Sequence, residues 1–171
     1  MPDAAQILMQ DHRTVEQLFD RYEAERDPDL VTQITSALQE HTQIEEELLY
    51  PELRGQVSAD MAAEAEDEHA EAKELIAQIQ SSDDDDEVYE LMSELRQSVD
   101  HHVEEEENEI FPAMEEQLGE RMSEIGQEIE RRKGGSLDLT KEELYERAQE
   151  REVEGRSKMD KEELARALQE E

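Results

Sequence analysis

The sequence predicts an all-α fold: an up-down-up-down four-helix bundle with a small C-terminal helical appendage. Three observations predict it. Apolar residues recur with a period near 3.6 in four long segments separated by short polar breaks, the pattern of antiparallel amphipathic helices. Only four prolines and six glycines interrupt 171 residues, while Glu, Ala, Leu and Gln, all good helix formers, are abundant. Aromatics are 4% of the chain against 35% hydrophobic residues, so the core must be mostly aliphatic.

The first helix is expected over residues 3–25, with a stripe of Leu8, His12, Val15, Phe19 and Tyr22, and "RDPD" breaks it. The second is expected over residues 28–54, with Val31, Ile34, Leu38, His41, Glu45 and Leu48. "RGQVSAD" follows, and Ser58 is the expected N-cap of the next helix. That third helix, residues 59–80, carries Met61, Ala65, His69, Ala72, Ile76 and Ile79. "SSDDDDE" reads as a solvated acidic loop. The fourth helix begins near residue 86 and carries Val88, Leu91, Leu95, Val99, His102, Glu106 and Ile110. Beyond Pro112 the stripe resumes at Met114, Leu118, Met122, Ile125 and Ile129, as a kinked continuation or a fifth helix. The bundle is expected over residues 1–132 and a linker at 133–136, within "RRKGGS". A short helix–loop–helix tail is expected over 137–171, where "TKEE" (Thr140, Glu143) and "DKEE" (Asp160, Glu163) read as capping boxes.

The formal charge is -34, from 51 acidic and 17 basic residues. Such a surface repels bare nucleic acid and anionic membranes. It also repels itself, and with so few lysines it points to a cytoplasmic protein of a high-salt cell. A disordered acidic chain would share the charge but not the sustained apolar period. The absence of cysteine excludes disulfides, thiolate metal sites and thiol catalysis. No apolar run approaches the roughly 18 residues that span a membrane. "MPDAAQILMQDHR" lacks the basic start and apolar run of a secretory signal.

Four of the five histidines fall on the apolar stripes, one per helix: His12, His41, His69 and His102. Glu45 and Glu106 join them, each four residues after a stripe histidine and so on the same helix face. In a bundle all six would point toward one axis. Burying an unpaired ion costs several kcal/mol even after relaxation, against a total domain stability of about 5–15 kcal/mol. A metal site offers the compensation. Imidazole mixed with carboxylate suits iron, manganese or zinc. Two carboxylates from opposite helices can each bridge two metals, with two imidazoles capping each metal. His101 lies one residue off its stripe and is expected at the surface or just outside the site. The other glutamates of "EEEL" and "EEEENE" are expected on solvated faces, the stripe methionines in the core. Pro51 and Pro112 are expected to end or kink their helices just beyond the site.

These residues resemble the hemerythrin-like, or HHE cation-binding, family. The resemblance is carried by "DHR" at His12, "HTQIEEELLYP" at His41 and Glu45, "DEHAEAKEL" at His69, and "HHVEEEENEIFP" at His102 and Glu106, and covers about residues 1–130. It implies a four-helix bundle with two non-haem, carboxylate-bridged iron ions. His12 and His41 would hold one iron, His69 and His102 the other, with Glu45 and Glu106 as bridges. It further implies binding or sensing of oxygen, peroxide, nitric oxide or iron, with a small diatomic ligand or peroxide as partner rather than a membrane or nucleic acid. A binding or sensing role fits better than that of a dedicated enzyme. One departure stands out: oxygen-carrying hemerythrins have a second histidine one turn after the third-helix ligand, where this chain has Lys73. Water, an exogenous ligand or a carboxylate such as Glu66 is left to fill that position.

Two rival readings compete. A ferritin-like di-iron oxidase needs two Glu-x-x-His motifs, and only "EDEH" (Glu66, His69) matches. A metal-free acidic helical interaction module leaves the two His-x-x-x-Glu pairs unexplained. The tail is similar to SAP-like and Rho-termination-factor N-terminal segments, whose relatives touch nucleic acid. Arg156, Lys158 and Lys161 are its candidate contacts, amid acidic neighbours.

The charge generates a first prediction. The Debye length is about 30 Å at 0.01 M salt and 3 Å at 1 M, so molar salt screens most of the self-repulsion. The thermal midpoint of the metal-free protein should rise substantially between these conditions in a calorimetric salt series. A flat response would refute the halophilic reading.

Overall fold

The computed structural model describes residues 2–134. Among them every regular element is helical and no strand occurs. The long helices are α1 (Ala4–Glu25), α2 (Pro28–Ile44), α4 (Ala59–Ser81) and α5 (Asp85–Glu105). Between α2 and α4 run a π-helical turn (Glu45–Leu49), the single turn α3 (Tyr50–Glu52) and a second π turn (Leu53–Val57). A third π turn (Glu106–Ile110) continues α5 into α6 (Phe111–Leu118), and α7 spans Glu120–Gly134. The stripe beyond Pro112 thus resolves into α6 and a fifth long helix, parted at Gly119, whose φ of 51° ends α6. Residues Met1–Gln127 form one compact unit and Glu128–Glu171 a second. The expected tail, half of the expected linker, and the candidate contacts Arg156, Lys158 and Lys161 lie outside the described residues.

Local chemistry sets the helix starts. Asp3 caps α1 in a capping box with Gln6, and Asp27 caps α2 ahead of Pro28. The Ser58 hydroxyl accepts the Met61 N–H at 3.2 Å, as expected from the sequence, and Asp84 caps α5. α1 packs on α2 and α4 on α5, giving two antiparallel hairpins.

The core falls in two apolar layers. One gathers Phe19, Tyr22, Leu30, Ile34, Ile76, Ile79, Met92 and Leu95. The other lies toward the opposite ends of the same helices and holds Leu8, Leu49, Tyr50, Leu53, Ala62, Phe111 and Met114, each at most 2% exposed. The stripe histidines and glutamates lie between these layers along every helix. Among the described residues, no helix is long and apolar enough to cross a membrane.

The period slips at the two prolines. Pro51 and Pro112 neither end nor sharply break the helical run. A proline ring cannot donate a backbone hydrogen bond and clashes with the carbonyl four residues back. The chain accommodates this by widening the preceding turn. Tyr50 N–H bonds to the Glu45 carbonyl and Phe111 N–H to the Glu106 carbonyl, both five residues back. The widened turn buries Leu49 and Tyr50 fully, and Leu48, expected on the stripe, is only half-buried. On α5, Met92 is buried while the expected Leu91 is half-buried.

Gly126 generates a prediction. A Cβ at this position would lie 2.8 Å from Asp3 C and Pro2 O and 2.9 Å from Ala4 N, all backbone atoms. Gly126→Ala should therefore destabilise by about 1–3 kcal/mol, the range for overpacking. Gly55→Ala, where a Cβ meets nothing within 4 Å, should be neutral or mildly stabilising. Denaturant titration of both variants checks this, and equal effects would show that the contact at Gly126 relaxes freely.

Candidate metal centre

Each bundle helix delivers one histidine to the axis: His12 from α1, His41 from α2, His69 from α4 and His102 from α5. Glu45 and Glu106 begin the π turns that follow α2 and α5, and both are 0% exposed. His12 Nε2 lies 3.1 Å from His41 Nε2, and His69 Nε2 lies 3.1 Å from His102 Nε2. Glu45 spans the two pairs, with Oε1 3.1 Å from His41 Nε2 and Oε2 3.3 Å from His69 Nε2. Glu106 spans them from the other side, with Oε2 3.3 Å from His12 Nε2 and Oε1 3.5 Å from His102 Nε2. The six residues singled out in the sequence are thus brought together as two imidazole pairs joined by two carboxylates.

A second layer of acids holds the imidazoles, and it was not legible in the stripes. Each histidine turns its Nδ1 to a carboxylate on a neighbouring helix. Asp11 faces His41 at 3.5 Å, Glu46 faces His69 at 3.0 Å, Glu68 faces His102 at 2.7 Å, and Glu107 faces His12 at 2.9 Å. The order is cyclic: an acid from the first hairpin's opening helix holds the imidazole of the next, and so on round to α1. Glu46 and Glu107 were expected on solvated faces. Instead their side chains are 31% and 15% exposed and engaged with the histidines. Each is pinned in turn by a cation, Glu46 by Lys73 Nζ at 2.5 Å and Glu107 by Arg13 Nη2 at 2.5 Å.

These acids decide what the inner nitrogens can do. A carboxylate only accepts, so each Nδ1 donates its proton outward. In a neutral imidazole the inward Nε2 then carries a lone pair. Two lone pairs 3.1 Å apart repel unless a proton or cation lies between them. The carboxylates give the same message. Glu45 Oε1 and Oε2 and Glu106 Oε2 are buried with no hydrogen-bond partner. The nearby imidazole nitrogens are close but not aimed as donors. Burial alone would lower the His41 pKa, yet Glu45, Asp11 and Glu106 raise it to about 10. Burial also opposes the shift at His102, where Glu106 and Glu68 raise it to about 9. His41 and His102, one from each pair, are therefore favoured in the charged form at neutral pH. Burial works against ionisation of Glu45 too, but the His41 charge and the close approach of the His41 and His69 imidazoles hold its carboxyl well below the usual range. Four imidazole nitrogens and two carboxylates around such a point make a donor set suited to a divalent or trivalent transition metal.

The two halves differ at one position. The π turns place Tyr50 below one imidazole pair and Phe111 below the other. The Tyr50 phenol oxygen is 3.0 Å from His69 Nε2 and 3.5 Å from His102 Nε2, and its O–H donates to Glu106 Oε1 at 3.2 Å. Burial, then the Glu45 and Glu106 charges, push its pKa well up. Phe111 stacks on His12 at 5.9 Å. Glu66, a candidate from the sequence for filling the position left by Lys73, instead pairs with Arg54 at 2.5 Å. His101 is 64% exposed and faces Glu68 and Glu105, as expected for a residue outside the cluster.

The profile of the hemerythrin HHE cation-binding domain matches residues 3–114 and again 66–170. The second match begins within α4, the start of the second hairpin. The likeness of the tail to SAP-like segments gains no support. A "DNA nickase" of Nostoc sp. (strain PCC 7120 / SAG 25.82 / UTEX 2576) is 31% identical over 123 residues, which cover 69% of this chain and 35% of that relative. No solved structure matches. The chain belongs to the hemerythrin HHE cation-binding domain family.

Proposed function

We propose that this chain holds two iron ions between the imidazole pairs and uses them to bind or sense a small oxygen-related ligand: oxygen, peroxide or nitric oxide. The carrying observation is the pair of 3.1 Å Nε2–Nε2 approaches, with each Nδ1 facing a carboxylate. In this reading His12 and His41 hold one ion, His69 and His102 the other, and Glu45 and Glu106 give one oxygen to each. The ions would supply Lewis acidity and redox chemistry. The chain's own part is to orient the imidazoles through the outer acids and to keep bulk water away with the two apolar layers.

Tyr50 completes the second half in this reading. Its phenol oxygen stands beside His69 and His102, on the half where Lys73 replaces a further histidine. A bound cation reverses the local pKa logic and favours the phenolate. The second ion then has five donors from the chain, the first only four. An exogenous ligand would then meet fewer chain donors at the His12–His41 half. That asymmetry favours ligand binding at one ion over symmetric storage.

The name of the Nostoc relative raises a DNA-directed role. The charge of -34 opposes it, because a DNA-binding surface must replace the counterions of the phosphates. A ferritin-like oxidase gains nothing from Glu66, which turns to Arg54.

Metal analysis of protein purified without added iron tests the main reading. About two irons per chain are expected, as in other paired-metal sites. His41→Ala and His102→Ala should each lose iron, and His101→Ala should keep it. One zinc, or no metal, would rule out the di-iron reading, and no metal at all would leave the acidic interaction module. For Tyr50 the test is optical. The ferric protein should show a visible phenolate-to-iron absorption that Tyr50→Phe removes while iron content is retained, since Phe111 occupies the equivalent space. A wild-type spectrum unchanged by Tyr50→Phe would leave Tyr50 as a hydrogen-bond donor only.

A further inference from the structure

We propose that small uncharged molecules reach the imidazole face from the groove between α1 and α5, and that Val15, Val99 and Val103 form the partition that selects them. The proposal rests on the metal reading above and adds the route and the gate. A cavity of about 30 Å³ lies on the imidazole side of the cluster, with all four histidines in its lining. A water molecule needs roughly 10–15 Å³ measured this way. The cavity thus suits a molecule of two or three atoms and excludes an organic substrate. Its remaining walls combine the valines with the aliphatic Leu38, Ala72 and Ile76, and with Asp11, Thr42, Glu68, Lys73 and Ser98.

Two surface grooves share walls with this cavity. The groove between α1 and α5, about 290 Å³, meets it at His12, Val15, Val99 and Val103. The groove between α4 and α5, about 640 Å³, meets it at Glu68 and Ser98. The two partitions are unlike. Glu68 is tied to His102 Nδ1 at 2.7 Å, so opening that side means breaking a charged hydrogen bond that orients an imidazole. The valine partition has no such bond. Val15 is 4% exposed and the other two are half-buried, so small side-chain excursions are enough to join groove and cavity.

The same partition discriminates by charge. An ion leaving water for an aliphatic passage loses solvation with no partner to replace it. Anions meet a further barrier, because the groove carries Glu16, Asp100, Glu104 and Glu107 against the single cation Arg13. The favoured class is therefore small, neutral and weakly hydrated, and the half it reaches first is the His12–His41 half with the fewer donors.

Nitric oxide mixed with the reduced, iron-loaded protein in a stopped-flow instrument is the kinetic probe. Val99→Phe and Val103→Phe should slow association by about tenfold or more, and Val99→Ala should speed it. Gln97→Phe, in the groove between α4 and α5 but outside the cavity wall, should leave it unchanged. Iron content and the resting spectrum should match wild type throughout. A second measurement needs no iron: relaxation of methyl protons by dissolved oxygen in the metal-free protein. Val15, Val99 and Val103 methyls should relax faster than those of Leu30 and Ile34. Unslowed association in Val99→Phe and Val103→Phe with iron retained, or slowing by Gln97→Phe instead, would overturn the route. Valine methyls no faster than Leu30 and Ile34 would overturn it as well. A wild-type protein without iron would overturn the metal reading alone, and the methyl measurement would still decide the route.

Discussion

Two imidazole nitrogens held 3.1 Å apart, twice over, are the constraint on which the rest of this bundle depends. Such an approach holds only with a proton or a cation between the two nitrogens. The outer acids aim the inner nitrogens at one another by facing the Nδ1 atoms. Because each acid comes from the helix next to its histidine, the ring also fixes the relative rotation of all four helices. A turn of any one helix would break an outer hydrogen bond and withdraw an inner ligand atom. The apolar layers on either side supply the stability that such a polar centre consumes. Either layer alone would leave the cluster open at one end.

The six inner residues were legible because their positions follow the helical period. His12, His41, His69 and His102 interrupt apolar stripes, and a buried polar residue on a stripe needs a partner. The outer acids were not legible for two reasons. Each stands next to an inner residue in sequence (Asp11 by His12, Glu46 by Glu45, Glu68 by His69, Glu107 by Glu106), so each points off the stripe toward a neighbouring helix. In a chain with 51 acidic residues, one more acid beside a histidine carries almost no signal alone. The regular placement of one such acid beside a cluster residue on each helix was the available clue.

Tyr50 escaped for a different reason. In an α-helix, residues five apart diverge by about 140° around the axis, so Glu45 and Tyr50 read as belonging to different faces. The π turn cancels most of that divergence. Pro51 is the sequence cause, and its counterpart Pro112 does the same for Glu106 and Phe111. The two segments are therefore one device used twice, a histidine and glutamate on a regular turn, then a widened turn that returns an aromatic ring to the centre. Tyrosine in one copy and phenylalanine in the other is the smallest change that makes two similar halves chemically unequal.

The protons now trapped in the centre show how it can be both folded and ready for a cation. Without metal, His41 titrates near 10 and His102 near 9, both above the ordinary imidazole value. Their charged forms therefore add stability that is full below about pH 6.5 and is lost as the pH rises through those folded values. Glu45, held low, adds stability above the usual carboxylate range that is lost on acidification. Around neutrality both contributions hold, and the metal-free bundle keeps its geometry with one proton per imidazole pair. A metal entering either pair must displace that proton, so uptake releases acid and strengthens with pH. The proton is thus a placeholder of the right sign but smaller charge. It keeps the ligand atoms close enough together to receive a cation, without the cost of leaving them unpaired.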